Sequence, residues 1–431
     1  MAYTNNQKEK YSQKVKYSKK ETNSYKEDNG KYRKRRNDIE KEETKLVKKI
    51  IKSGCLVCQE CKQCNGQQET YKANIARKQQ KIATALLPYC EVEPMITMEK
   101  PYYYKNRVYR LFHHDRSGTP LAGYYGAAEG YVIKIDECYV DDKQCQKIIE
   151  TVRGLLKSFK IKTFDLKTGH GLLRYVLVKR GLETNEIMVV LVLSSIIMPS
   201  KNNFVKELRR LHPDISTILI NENYKDVNNI VGDREIAIYG KGFILDTFQG
   251  KKFRISSKSV FPVNPTQSKK VTDTIVKWGN LKGTELVLDV NANMGFHSMM
   301  LSDYARKIFS LETNHDMYRD ILSNLKRNQI KNIDVYKKDA AEFIQQVVTS
   351  EKESIDIIVA TQPYNGFGQA FIDAVALAKP KQLFYIAKNI NSMLVELELL
   401  KKKGYRVEHA VAIDVLPWTD RFEIVVQLNK A

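Results

Sequence analysis

Residues 285–314 read ELVLDVNANMGFHSMMLSDYARKIFSLETN, and this stretch decides the fold. Its first apolar run, 287–290, carries an acid near its end, Asp289. A small polar loop follows, Asn291-Ala292-Asn293-Met294-Gly295. A helical pattern comes next, then a second apolar run over 308–311, closed by Glu312. Strand, tight turn, helix and strand ending in a carboxylate form the opening half of a nucleotide-binding βαβ unit. In such a unit the loop amides meet the ligand. The acid after the second strand accepts bonds from both ribose hydroxyls. Glycines usually occupy the middle of that loop, because the backbone can then approach the ligand closely. Here Gly295 alone remains, and Asn293 stands where a second glycine is expected. Asparagine tolerates φ > 0 better than most residues, so the turn is expected to survive. The same residues also suit a βαβ unit that holds no ligand.

Outward from this stretch the pattern is regular. From residue 264 onward, strands are expected at 286–290, 307–311, 333–336, 355–360, 383–387, 405–415 and 422–428, with helices between them. The run 354–360, SIDIIVA, is nearly all apolar and suits a central parallel strand. Residues 119–260 alternate less regularly, with elements expected at 130–135, 144–158, 173–179, 186–198, 203–211, 216–220 and 235–239. No internal repeat is visible. The fold class is α/β: a Rossmann-like C-terminal domain over 256–431, preceded by a mixed α/β domain over 51–255 that carries a cysteine cluster. Residues 1–50 are rich in Lys, Asn, Glu and Tyr and poor in aliphatic side chains, so they are read as a basic disordered arm.

The chain has 431 residues, enough for two or three domains. Its formal net charge is +21, which argues for a nucleic-acid or acidic partner rather than for any fold. KYRKRR, residues 31–36, is the densest basic patch, suited to neutralising phosphates or simply to solvation. The N-terminus is polar, without a secretory pattern. The longest apolar run, 187–198, is too short to span a bilayer. A cytoplasmic protein without a membrane partner is expected.

All seven cysteines lie before residue 146, so the C-terminal two-thirds contains no thiol. Cys55, Cys58, Cys61 and Cys64 fall within ten residues, a density that favours metal over disulfides. Spacing alone permits zinc or an iron–sulfur cluster. Cys138 follows an apolar run in GYVIKIDECYV. Residues 65–80 read as a basic helix. YYYKNRV, 102–108, places aromatics beside cations, suited to stacking on bases or to ordinary strand packing.

Taken together, these residues resemble a known family. From Cys55 to the C-terminus the chain is similar to the S-adenosylmethionine (SAM)-dependent RNA uracil-C5 methyltransferases, which form 5-methyluridine in tRNA and rRNA. The family pattern C-x5-C-G-G-C matches Cys55, Cys61 and Cys64. It is followed by Gln67, Tyr71 and Lys78 in a Tyr-x6-Lys helix. Tyr104-Lys-Asn-Arg107 resembles the family's YRNK. Phe261-Pro-Val-Asn-Pro-Thr-Gln267 resembles F-Q-V-N-P-x-Q. Asn324, Asn328, Ile330 and Asn332 match N-A-x-x-N-x-I-x-N. Asp414, Pro417, Thr419 and Glu423 match D-x-x-P-x-T-x-x-x-E. The resemblance implies a [4Fe-4S] cluster held by Cys55, Cys61, Cys64 and Cys138. It implies SAM contacted at positions 262, 291, 295, 312, 339 and 361, where this chain has Pro262, Asn291, Gly295, Glu312, Asp339 and Thr361. It implies RNA, rRNA or tRNA, as partner, with no DNA; the oligomeric state stays open. The family's N-terminal small β-barrel is not expected here, and the basic arm is read in its place.

The departures bear on chemistry. In the family, a cysteine in Y-x-S-C-N-P adds to C6 of uracil and turns C5 into a carbanion that accepts a methyl group. Here the segment is Tyr385-Ile-Ala-Lys388-Asn389-Ile390, with Lys388 at the nucleophile position. D-P-P-R-x-G has become Thr361-Gln-Pro-Tyr-Asn-Gly366. The cofactor-contacting Gln of F-Q-V-N is Pro262. Glu423 matches the base that removes the C5 proton, but without a nucleophile it has no carbanion chemistry to complete. The sequence therefore predicts an RNA-binding relative that has lost 5-methyluridine formation. The alternative is an active RNA methyltransferase acting on a ring nitrogen or ribose oxygen, where no covalent thiol is needed.

Overall fold

The computed structural model describes residues 55, 61, 63–64, 69–126, 132–224, 229–350 and 354–431. The patch at 31–36, Cys58 and Gln67 lie outside them. The chain divides between residues 56 and 57, and everything below except Cys55 belongs to the unit 57–431.

The first half of that unit holds α1 (Tyr71–Leu86), β1 (Glu93–Ile96), β2 (Arg107–His114), β3 (Pro120–Tyr125), β4 (Val132–Lys134), α2 (Lys143–Ser158), β5 (Leu173–Arg180), β6 (Ile187–Leu193), α3 (Lys201–Leu211), β7 (Ile215–Glu222) and β8 (Arg234–Tyr239). All these strands except β1 form one sheet, in the order β4-β3-β2-β5-β6-β7-β8. β6 and β7 run parallel, and the other neighbours are antiparallel. β6 is buried at every position, as its unbroken run of β-branched and apolar residues requires. The helices α2 and α3 cover one face, with Ile148, Val152, Phe204 and Leu208 against Val176, Val178, Val189 and Leu191. A hairpin follows, β9 (Ile244–Phe248) and β10 (Lys251–Ile255). Its turn residues Gln249 and Gly250 have φ of 48° and 79°, the pair of positive values a type I′ turn needs.

The C-terminal half contains α4 (Pro265–Gly279), β11 (Leu286–Val290), α5 (Phe296–Leu301), β12 (Lys307–Leu311), α6 (His315–Asn328), β13 (Ile333–Tyr336), α7 (Ala340–Ser350), β14 (Ile357–Thr361), α8 (Gln369–Ala378), β15 (Gln382–Ala387), α9 (Ile390–Lys402), β16 (Tyr405–Ile413) and β17 (Glu423–Lys430). The sheet order is β13-β12-β11-β14-β15-β17-β16-β1. β17 runs against its neighbours β15 and β16, and the other pairs are parallel. Alternate residues feed two cores. Leu286, Leu288 and Val290 join one with Ile358, Ala360, Leu383 and Tyr385. Val287 joins the other with Ile308, Ile357, Val359 and Phe384. The strand order reverses between β12 and β14, on either side of β11. Ligands bind in such sheets beyond the carboxyl ends of the strands, at this switch point.

Helix α1 and strand β1 belong to this second sheet. Ile82, Leu86, Val92 and Met95 sit in the core built on Leu286 and Ile358. The tie is polar as well as apolar. Lys78 Nζ donates to Asp414 Oδ1 at 2.6 Å, and Tyr71 Oη donates to Asp414 Oδ2 at 2.6 Å. The Tyr-x6-Lys helix and the Asp414 motif, far apart in sequence, therefore meet at one buried carboxylate. The strand expected to run to residue 415 ends at Ile413, because Asp414 turns inward to this pair.

Candidate active site

The loop after β11 is built as its asparagines allow. Asn291 and Asn293 have φ of 57° and 55°, and Gly295 has 82°. Three left-handed residues in five give the tight turn that leads into α5. Gly295 has a second reason to lack a side chain: a Cβ there would lie 3.2 Å from Ile321 Cγ2. The asparagine side chains close the turn from within. Asn293 Nδ2 donates to the Asn291 carbonyl at 2.9 Å, and Asn291 Nδ2 donates to the Thr361 carbonyl at 2.9 Å. The second bond links the β11 loop to the end of β14.

Glu312 stands at the end of β12 as expected. Its Oε2 accepts from the Asn293 amide at 2.8 Å and its Oε1 from the Asn314 amide at 2.7 Å. Burial raises its pKa, and these amides oppose the rise. The carboxylate thus faces the loop, with lone pairs left over for ribose hydroxyls. Asp339 is exposed and accepts from the Ala341 amide at 2.8 Å, so it caps α7. Thr361 closes β14, and its buried Oγ1 has no hydrogen-bond partner among the described residues. Pro262 offers only its carbonyl, which accepts from Asn106 Nδ2 at 3.3 Å. Glu312 and Thr361 thus keep hydrogen-bonding capacity beside the loop, whose Ala292, Asn293 and Gly295 amides are bonded within the fold, and Pro262 adds no side-chain donor.

Lys388 follows β15 directly and is 43% exposed along its side chain; its Nζ lies 4.0 Å from Glu423 Oε1, at the start of β17. The two residues predicted at the nucleophile and base positions are thus ion-pair partners. Burial pushes the Glu423 carboxyl up, and the Lys388 ammonium opposes that. Sequence reasoning missed two neighbours. Gln362 is buried, and its Oε1 accepts from the amides of Lys388 and Asn389, both at 3.0 Å. This fixes the turn that presents Lys388. His297, on α5, bonds Thr272 Oγ1 through Nδ1 at 2.9 Å. Burial, with Lys388 adding, pulls its imidazole down to about 4, so the ring is neutral at physiological pH. A histidine two residues past the loop glycine was the only available signal.

Of the four thiols, Cys61 and Cys64 are buried and Cys55 and Cys138 are half-buried. Cys64 and Cys138 share a small cluster with Tyr104, Trp418 and Tyr71. Among the described residues no three metal-donor side chains are brought together. The aromatics at 102–108 turn out to be packing residues. Tyr104 is buried and donates to the Pro417 carbonyl at 2.8 Å. Tyr102 packs on Trp418 and Tyr103 on Tyr139. Of the two roles expected for this segment, packing is the one these contacts display, with Tyr102 and Tyr103 half-buried. Among the described residues no helix is long and apolar enough to cross a membrane.

Comparison with known proteins agrees with this geometry. Residues 251–403 match the family model described as ribosomal RNA adenine dimethylase. An uncharacterized RNA methyltransferase of Halalkalibacterium halodurans is 28% identical over 88% of this chain and 83% of its own. Another, of Clostridium acetobutylicum, is 28% identical over 87% and 83%. The solved tRNA (uracil-54, C5)-methyltransferase of Pyrococcus abyssi, in complex with S-adenosyl-L-homocysteine, superposes with a TM-score of 0.65 at 20% identity, covering 83% of each chain. The chain is thus similar in sequence to proteins named RNA methyltransferases and shares its fold with a solved tRNA uracil-C5 methyltransferase.

Proposed function

We propose that this protein binds rRNA or tRNA and does not form 5-methyluridine. The observation that carries this reading is the Lys388–Glu423 pair. Methylation at C5 needs a thiolate to add at C6 and a free carboxylate to take the C5 proton. A lysine becomes a nucleophile only on losing its proton, usually through burial. Lys388 is exposed, with Glu423 4.0 Å from its Nζ, and the structure gives it no apolar enclosure. Glu423 is correspondingly engaged. Thr361 and Pro262 also lack the groups that the family uses beside the cofactor. Glu312, Asn291, Gly295 and Thr361 are the residues that would hold SAM, which supplies an electrophilic methyl group when bound.

The test is incubation of purified protein with tritiated SAM and total rRNA or tRNA, followed by nucleoside analysis. No label is expected on carbon 5 of uridine, and label there would overturn the reading. Lys388→Cys alone is expected to leave that result unchanged, because positions 262 and 361 remain altered. The match to the adenine dimethylase model favours a second reading, methyl transfer to a base nitrogen. A nitrogen lone pair attacks the methyl directly, so no thiol is needed. Label recovered in a methylated purine would select it.

We also propose that Cys55, Cys61, Cys64 and Cys138 hold a [4Fe-4S] cluster. The placement of Cys64 and Cys138 in one cluster with Trp418 supports this. Anaerobically purified protein is expected to be brown and to contain iron and acid-labile sulfide in about equal amounts. Cys61→Ser should remove the colour. Colourless protein carrying zinc would overturn the assignment.

A further inference from the structure

A recess outside the candidate active site lies on the first sheet, at the far end of β2. Its volume is about 180 Å³. A cavity of about 150 Å³ takes one benzene ring, and sites for drug-sized ligands run to roughly 300–1,000 Å³. The recess thus has room for one planar ring system and for little else. Its walls suit a ring. Leu111, Val132 and Phe164 are buried and line it. The Phe164 ring is held in place: the Arg174 guanidinium sits 5.3 Å from its centroid, and Tyr224 meets it edge-on at 5.9 Å. Arg174 is itself buried and donates through Nη1 to Asn223 Oδ1 at 2.8 Å. The polar part of the lining favours one kind of ring. Lys167 is exposed and brings an ammonium, which has donors and no acceptor. His113 also lines the recess, and its ring nitrogens have no hydrogen-bond partner among the described residues. Asp165, the one acid in the lining, accepts from the amides of Lys167 and Thr168 at 2.7 and 3.0 Å, so it serves its own loop. Donors therefore outweigh acceptors. Guanine presents O6 and N7 as acceptors and uracil presents O4, where adenine and cytosine present amino groups.

The strand links this recess to the second half of the chain. Arg107, Tyr109, Leu111 and His113 alternate along β2 and so share one face. Tyr109 and Leu111 pack with the core that also holds Phe261 and Met294. Just before the strand, Asn106 is bonded to the Pro262 carbonyl. Arg107 lies beside Ser259 and Phe261, and its half-buried guanidinium has no hydrogen-bond or ion-pair partner among the described residues. Such a guanidinium suits a phosphate. At about 3.4 Å per residue, the ring-sized recess lies roughly 20 Å farther along the same face.

We propose that this recess takes one unpaired keto base, guanine or uracil, of the bound RNA at a position flanking the nucleotide that meets the Lys388–Glu423 pair, with Arg107 on a phosphate between them. RNA sequence is read mostly through unpaired bases, splayed out and hydrogen-bonded along their edges. The inference rests on the RNA-binding reading above and adds to it a base-selective subsite on the other sheet.

The test is fluorescence anisotropy of the full chain with short labelled strands of oligouridylate, oligocytidylate and oligoadenylate. Oligouridylate should bind about tenfold more tightly than the other two. Lys167→Ala and His113→Leu should remove most of that preference. Leu166→Trp, at the exposed rim, should block the recess and do the same. Lys162→Ala is the charge control: Lys162 is exposed and outside the lining, so the change should weaken all three strands alike and leave the preference. Lys167 and Leu166 are exposed, so neither change should move the melting temperature. A uridine preference that survives the rim variants would belong to the Lys388–Glu423 site and overturn the inference. Equal affinity for the three strands would also overturn it. Uridine monophosphate competing as well as the oligonucleotide would overturn it in favour of a free nucleotide. These outcomes leave the RNA-binding reading standing, whereas a wild type that binds no strand would overturn both.

Discussion

Replacing Lys78 by methionine is expected to destabilise the fold by about 3–5 kcal/mol. Lys78 and Asp414 are 1% and 0% exposed along their side chains, with Nζ 2.6 Å from Oδ1. Burial lowers the pKa of Lys78, and Asp414 acts against that. Desolvation is thus the larger effect, and the pair as a whole adds little net stability. Removing one member is a different matter. It leaves a carboxylate in the core with Tyr71 Oη as its one remaining side-chain donor among the described residues. Arg77, the preceding residue on α1, is the control. It pairs with Glu69 and Asp420 at half-exposed positions, so Arg77→Ala should cost under about 1 kcal/mol. Denaturant melts of both variants measure this. The double variant Lys78→Met with Asp414→Asn should lose less than the sum of the two single variants. A Lys78→Met protein as stable as Arg77→Ala would show that the buried charge has another way to be solvated. The loop that begins at Asp414 leads to Glu423, so RNA affinity should fall in step with stability.

This pair also marks the limit of what the sequence shows. Strands at 286–290, 307–311 and 333–336 are legible because parallel strands buried on both faces read as short apolar runs between turn residues. β1 is only four residues long, and its pairing with β16 is a contact across some three hundred residues, which no local pattern encodes. The β9–β10 hairpin was missed for a local reason. Its turn is Gln249-Gly250, whereas the recognisable type I′ signals are Asn-Gly and Asp-Gly. At the site, the residue types were legible and their partnerships were not. Lys388 and Glu423 could be placed by motif, but not their approach to 4.0 Å. Asp339 was placed by motif as a ligand-contacting acid, but its exposure and its bond to the Ala341 amide at the start of α7 were not legible in the sequence. Gln362 escaped notice because a glutamine in place of the family's proline looks like a loss. In the fold it is the clamp on the Lys388 turn.

The contribution of Asp289 to folding stability should fall as pH rises from about 4 to 7, so Asp289→Asn should lessen the pH dependence over that range. Asp289 is fully buried within β11, where burial pushes its carboxyl from 3.8 up to about 7, with nearby Glu312 adding to the effect and Ser298 opposing it. One oxygen is bonded by Ser298 Oγ. The other, Oδ1, has no partner among the described residues, so the neutral form is favoured. The folded chain then keeps this proton up to about pH 7, whereas the unfolded chain releases it near pH 4. Between those values the unfolded state binds fewer protons, and stability falls with rising pH. The full loss for such a displacement is about 4 kcal/mol, reached once the folded carboxyl ionises. Asparagine has nearly the same shape and no charge to desolvate. The variant should therefore match the wild type near pH 4 and exceed it near pH 8, where an ionised Asp289 would push against Glu312 across the β11 loop. Denaturant melts of the two proteins without added ligand, at pH 4, 6 and 8, decide the matter. Parallel stability profiles would mean that Asp289 is ionised in the fold throughout, with a compensating donor beside Oδ1.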